Sequence, residues 1–169
     1  MISQLGSLRR YARSLTRDPV EAEDLVHDAL VRAYEGRVTF RPGGNLRAWL
    51  LSILHNAFVD RTRSRRAEAA RLEAAQQITE SRFEPSQEHV VRLSQIRQAF
   101  FDLPEDQRAA LHLVAIEGLS YQEAAQALGV PQGTLMSRIG RARASLRAME
   151  AATASPSRTH LKIIGGRDE

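Results

Sequence analysis

The chain has 169 residues, 43% of them hydrophobic, with a formal net charge of +4 and a pI near 10.3. That is enough for one medium domain or two small ones, too apolar for overall disorder, and compatible with a polyanionic partner. There is no cysteine, which excludes disulfides, thiolate metal sites and thiol catalysis. No apolar run approaches the ~18 residues of a membrane span. The opening MISQLGSLRRYARSLTRD lacks the apolar core of a secretion signal, so a cytoplasmic protein without membrane insertion is expected. Lys162 is the only lysine among 24 basic residues. Arginine suits phosphate contacts, although a GC-rich genome produces the same bias.

In chain order, a first helical block runs from about Leu5 to Arg66. Its clearest helix opens at Asp18-Pro19, with Asp18 as cap, Pro19 at the first helical position and Glu21 expected to close a capping box. Ala22, Leu25, Val26, Ala29, Leu30 and Ala33 follow at helical spacing. Glu21, Glu23, Asp24, Asp28 and Glu35 give this helix an acidic face, which suits a protein partner or plain solvent. The Arg41-Pro42-Gly43-Gly44 break ends it, and Asn45 can cap the next helix. That helix buries Leu46, Trp49, Leu50, Ile53, Leu54, Ala57 and Phe58 on one stripe. It ends in Arg61, Arg63, Arg65 and Arg66, a cluster that fits either phosphate contacts or a solvated helix terminus.

Residues 67–88 are rich in Ala, Glu, Gln, Ser and Arg. They are expected to be weakly helical to Gln77 and then a linker through Pro85. A second block covers 89–150. Leu103-Pro104-Glu105 and Gly118 divide it. The stretch LSYQEAAQALGVPQGTLMSRIGRARASLR (119–147) then predicts a helix-turn-helix. Ser120 and Glu123 form a capping box, Gly129 supplies a left-handed terminus, and Pro131 suits the start of the next helix. Leu135, Ile139, Ala142 and Leu146 share a buried stripe. At about 100° per residue the opposite face carries Gly133, Ser137, Gly140 and Arg141, flanked by Thr134 and Met136. Small outward residues permit close approach to a major groove. The tail, 151–169, holds a short apolar HLKII patch and is expected to be mobile. No strand alternation occurs. The expected fold is all-α, with two small helical domains (1–66 and 89–150) joined by a flexible linker (67–88), the second containing the helix-turn-helix.

Catalytic signals are missing. None of His27, His55, His89, His112 and His160 forms an HExxH or shares an i, i+4 metal face with another, and no P-loop, GxGxxG or GxSxG occurs. His112 is expected to be structural. Neither enzyme activity nor a cofactor nor a metal is anticipated.

Taken together, DPVEAEDLVHDALVRAYE, FRPGGNLRAWLLSILHNAFVDRTRSRR and LPEDQRAALHLVAIEGLSYQEAAQALGVPQGTLMSRIGRARASL resemble bacterial extracytoplasmic-function sigma factors, group 4 of the sigma-70 family. The likeness covers roughly 5–150. It implies a promoter-specificity subunit whose partners are core RNA polymerase, promoter DNA and a cognate anti-sigma factor. By that resemblance, Asp24, Leu25 and Asp28 match the polymerase-binding segment. Phe40, Asn45, Trp49 and Asn56 match the minus-ten segment, with Asn56 placed to hold a flipped base and Arg61, Arg63, Arg65 and Arg66 along its backbone. Trp49 also lies on the apolar stripe and fits the core. The recognition helix would span 132–147. Gln132, Thr134, Met136, Ser137, Arg138, Arg141 and Arg143 are its minus-thirty-five candidates, Arg141 for a base edge and Arg138 and Arg143 for phosphates. Met136 stands where the family often carries Lys or Arg, and Gly140 where it carries a larger residue. The competing readings are a sigma-like module that sequesters an anti-sigma factor without binding DNA, and a plain helix-turn-helix regulator. The retained arginines disfavour the first, and the acidic helix followed by NLRAWLLSILHN disfavours the second.

Overall fold

The computed structural model describes residues 2–72 and 88–153, and among these the secondary structure is entirely helical. Expectations for the linker from 73 to 87 and for the tail from 154 onward fall outside the described residues.

Helix α1 (Leu5–Thr16) ends at Arg17, which adopts a left-handed φ of 62° and donates its backbone N–H to the Arg13 carbonyl. Helix α2 (Pro19–Glu35) begins as anticipated: the Asp18 carboxylate accepts from the Val20 and Glu21 N–H groups, both at 2.8 Å. The reciprocal half of the expected capping box is not made. The Asp18 N–H already reaches Thr16 Oγ at 3.4 Å, and Glu21 instead takes both arms of the Arg65 guanidinium at 2.9 and 3.1 Å. A bidentate charged pair is a stronger partner than one exposed amide.

Helix α3 (Leu46–Leu72) continues past Arg66 into the stretch expected to be weakly helical. The reason is local: Ala67-Glu68-Ala69-Ala70-Arg71-Leu72 consists of good helix formers with no breaker. Asn45 caps it as expected, its Oδ1 accepting from the Ala48 N–H at 3.2 Å. Leu8, Tyr11, Leu25, Leu50, Leu51 and Leu54 fill the core of this block. Leu51 lies off the predicted stripe, yet it is buried because α3 packs on α6 as well as on α1 and α2.

In the second block, α4 (Glu88–Asp102) precedes α5 (Glu105–Leu111), which continues into a π-helical turn, His112–Ile116. Helices α6 (Tyr121–Leu128) and α7 (Gln132–Thr153) form the helix-turn-helix. Both halves of the Ser120–Glu123 capping box are present, and Gly129 sits at φ 64°, a left-handed turn that a side chain would strain. Pro131 lies one residue before α7 and contributes its carbonyl to the Leu135 N–H. Leu135, Ile139 and Ala142 are buried and Leu146 packs against them.

The two blocks touch directly, a contact absent from the sequence expectation. Helix α1 meets α5, and α3 meets α6. At their junction the Glu117 carboxylate, whose side chain is 0% exposed, accepts two hydrogen bonds from Arg10, each 3.1 Å. His112 Nε2 stands 3.3 Å from the same carboxylate. Arg47 donates to the Glu117 carbonyl at 3.1 Å, and Arg108 to the Ser14 carbonyl at 2.6 Å.

Candidate nucleic-acid interface

Helical periodicity sorts the α3 arginines into two sets. Arg61 and Arg65 continue the inward stripe of Leu54 and Phe58, at spacings of three and four. They meet α2: Arg65 pairs with Glu21, and Arg61 lies 3.4 Å from Asp28 and donates to the Asp24 carbonyl at 3.0 Å. The Glu21 carboxylate raises the Arg65 pKa still further. Arg63 and Arg66 are exposed and pair with none of the described residues. The four-arginine cluster is therefore half structural.

Trp49, Asn56 and Arg63 are spaced by seven, so they share one face of α3. Asn56 is exposed, and Trp49 is half-buried against the core. The Phe40 ring lies 5.2 Å from the Trp49 ring, inclined by 55°. Gly44 lets this loop close, since a Cβ there would meet the Arg41 carbonyl at 3.0 Å and the Phe40 ring at 3.6 Å. Asn45, at the mouth of the loop, donates its amide to Glu123 at 2.7 Å.

On α2 the expected polymerase set splits as well. Asp24 is exposed. Asp28 is partly covered by Arg32 and Arg61, at 3.0 and 3.4 Å. Leu25 is 0% exposed, so it builds the core from within and offers no surface contact; the expectation for it is corrected. The apolar surface of this helix is instead Val20 (70% exposed), Val31 (44%) and Tyr34 (65%). With Asp24 and His27 they form one stripe at spacings of three and four. The sequence signal was available: these residues are apolar yet lie off the core stripe.

On α7 the outward face is as drawn from the sequence. Gln132, Met136, Ser137, Gly140, Arg141 and Arg143 are exposed, and Thr134 is half-buried. A Cβ added at Gly133 or Gly140 would meet nothing within 4 Å, so no packing inside the protein requires either glycine. Arg141 makes only a long 3.4 Å bond to the Ser137 carbonyl. Arg138 departs from expectation. It is bound to Asp106 at 3.2 Å and lies close enough to His55 to disfavour that ring's protonation, so it faces the block junction. Burial first, and the Arg138 charge second, hold the His55 pKa down at about 4.

Residues 1–68 match the Sigma-70 region 2 family model and residues 93–146 match Sigma-70, region 4. The ECF RNA polymerase sigma factor EcfG of Rhodopseudomonas palustris (strain TIE-1) is 38% identical over 98% of this chain and 93% of its own length. The chain belongs to the extracytoplasmic-function sigma factors. Another relative, SigM of Mycobacterium tuberculosis, is 35% identical over 82% of this chain and 69% of its own. The sigma factor RpoE of Bartonella quintana, solved in complex with the anti-sigma factor NepR, superposes with a TM-score of 0.75. It is 35% identical, over 89% of this chain and 93% of that one. As a sigma factor of this class the chain binds core RNA polymerase and directs promoter-specific transcription initiation. Region 2 is thus built on α1–α3 and region 4 on α4–α7. Among the described residues no helix is long and apolar enough to cross a membrane.

Proposed function

We propose that this sigma factor divides its work among three surfaces. The exposed α2 stripe of Val20, Asp24, His27, Val31 and Tyr34 docks on core polymerase. The α3 face of Trp49, Asn56 and Arg63, with Phe40 and the 41–45 loop, captures the melted minus-ten strand. An asparagine amide both donates to and accepts from a base edge, and the exposed Arg63 and Arg66 follow the phosphates. The outer face of α7 reads the minus-thirty-five duplex, with Arg141 toward a base edge and Arg143 toward the backbone.

The observation that carries this reading is the α7 face. It is exposed, holds two glycines with open space over them, and bears Arg141, Arg143 and Arg147, to which no carboxylate of the described residues is bound. A module that only sequestered an anti-sigma factor would need neither the flat surface nor the free cations. The chain acts by binding, without chemistry of its own, and works in the cytoplasm where polymerase and chromosome are. A cognate anti-sigma factor fits the same reading, since the Bartonella relative was solved with one.

Run-off transcription over a pool of genomic fragments tests the proposal. Core polymerase plus this chain is expected to start at a defined promoter, and the absence of any chain-dependent start would sink it. Asn56→Ala is expected to reduce permanganate reactivity of the melted region more than it reduces duplex binding. Unchanged melting would remove Asn56 from the role.

A further inference from the structure

The α3 face proposed above for the melted strand holds a further residue, Asp60. At the helical period, Arg63, Asn56, Trp49 and Asp60 fall within one sector of about 60°. Asn56, Asp60 and Arg63 are exposed, and the Asp60 side chain stays 58% exposed even while bound. A carboxylate beside a phosphate backbone is unfavourable unless its charge is matched and its lone pairs find donors.

Helix α2 supplies the match. Arg32 donates Nη1 to Asp60 Oδ2 at 2.7 Å and Nε to Asp28 Oδ1 at 3.0 Å. Arg61 Nε lies 3.4 Å from Asp28 Oδ2. Four alternating charges thus run Asp60–Arg32–Asp28–Arg61 across the α2–α3 seam. The hydrogen bond to Asp60, ahead of every other cause, raises the Arg32 pKa still further, so the guanidinium keeps its charge. This arrangement fixes the Asp60 carboxylate from behind and cancels its charge. Its other oxygen, Oδ1, accepts from none of the described residues.

We infer that Asp60 reads one base of the melted strand, its Oδ1 accepting from an exocyclic amine, and that Arg32 holds it in position to do so. This rests on the minus-ten reading given above and names the chemistry that the face selects. A carboxylate only accepts, whereas the Asn56 amide both donates and accepts. Adenine, cytosine and guanine each carry an exocyclic amine. Thymine has none, and the two carbonyl oxygens flanking its single imino N–H repel a carboxylate. Once the strand is unpaired, the Watson–Crick edge is open to such a contact. Asp60 therefore disfavours thymine at its position, a choice that the two-way Asn56 amide cannot make. Four residues, ~6 Å along the helix, separate Asn56 from Asp60, so the two can meet different bases. Arg32 touches no DNA and acts through Asp60 as a positioning residue.

The test uses holoenzyme and forked duplexes built on the promoter found by run-off transcription, with the minus-ten strand unpaired. Base analogues delete one amine at a time: purine for adenine, 2-pyrimidinone for cytosine, hypoxanthine for guanine. The parent is expected to lose about tenfold in affinity at one position, as for one charge-assisted hydrogen bond. Asp60→Ala is expected to bind the natural and amine-deleted templates alike at that position. Asp60→Asn keeps an accepting oxygen without the charge and remains informative if Asp60→Ala folds poorly; it should show a smaller loss on amine deletion than the parent. Arg32→Ala keeps the carboxylate but releases it, and should lose most of the discrimination. A plain tie between α2 and α3 predicts instead that these variants weaken every template equally, and that result overturns the proposal. A parent insensitive to every amine deletion also overturns it, as does an Asp60→Ala variant that retains the full tenfold. Full discrimination in Arg32→Ala overturns the positioning role of Arg32. If the holoenzyme captures no forked template, the minus-ten reading fails instead, and the role of Asp60 falls with it.

Discussion

Helices α3 and α7 each carry four closely spaced arginines, and the structure treats the two sets differently. On α3, Arg61 and Arg65 turn inward to α2 carboxylates while Arg63 and Arg66 remain open. On α7, among the described residues, Arg138 is taken by Asp106, and Arg141, Arg143 and Arg147 stay outside any ion pair. The difference follows from what each helix packs against. Helix α2 brings the Glu21 and Asp28 carboxylates alongside α3, whereas no helix among the described residues covers the outer face of α7. A run of arginines is therefore not a count of phosphate contacts; its phase relative to the buried stripe decides which members are free.

The largest test of that division uses adjacent residues on α7. Leu135 is 0% exposed and Met136 is 53% exposed. Leu135→Ala is expected to cost ~2–5 kcal/mol in urea melts, by lost burial and the cavity left behind. Met136→Ala should stay within about 0.5 kcal/mol of the parent while changing the preference among minus-thirty-five duplexes. A Met136 variant as destabilised as Leu135→Ala, or one that binds every duplex as before, would break the assignment of inner and outer faces.

The junction is expected to respond to acid before either core does. His55 has its pKa lowered from 6.5 to about 4, so the folded form resists a proton that the unfolded chain accepts. Its cost to stability is nil above pH 6.5 and grows as pH falls from 6.5 to 4, reaching up to ~3 kcal/mol. Glu117 adds a second window: its contribution is complete above pH 4.5 and is lost as pH falls from 4.5 to about 2. Thermal melts between pH 7 and 4 should show the first loss, and His55→Asn should remove most of it. A melting temperature that stays level from pH 7 to 4 would refute the assignment.

Much of the fold was legible in the sequence because its determinants are local. Asp18, Asn45 and Ser120 cap the helices they were expected to cap, and Gly129 ends α6, since each acts within four residues of itself. The α7 face was legible for the same reason. What failed depended on neighbours. Leu25 was placed at a partner surface by resemblance, but its spacing with Ala22 and Ala29 already put it inside. Glu21 left its capping box for an arginine 44 residues away. The Arg10–Glu117 ion pair joins residues 107 positions apart, and nothing around Glu117 in the chain distinguishes it from a surface carboxylate.

On α3 the comparison can be sharpened by salt. Arg63→Ala is expected to lower the slope of log affinity against log salt by about one on a forked minus-ten template, because a free cation displaces about one counterion. Arg65→Ala should change the slope less, because its charge is already matched by Glu21. Equal slopes for the two variants would mean that the α2 carboxylates release their arginines when DNA arrives.

The smallest effect is the most diagnostic for α7. Glycine inside an exposed helix is less favourable than alanine by up to ~1 kcal/mol, and a Cβ at Gly140 would meet nothing within 4 Å. Gly140→Ala should therefore raise stability by up to ~1 kcal/mol in denaturant titrations. Intramolecular packing gives no reason for the glycine; under the proposed reading of the minus-thirty-five face, the missing Cβ lets the backbone of α7 approach the groove closely. The same substitution is then expected to weaken minus-thirty-five binding while the protein grows more stable. Stability and binding moving in opposite directions would mark Gly140 as part of the DNA face. A gain in stability with unchanged duplex affinity would show that the helix lies farther from the groove than the flat face of Gly133, Ser137 and Gly140 implies, leaving recognition to the long side chains of Arg141 and Arg143.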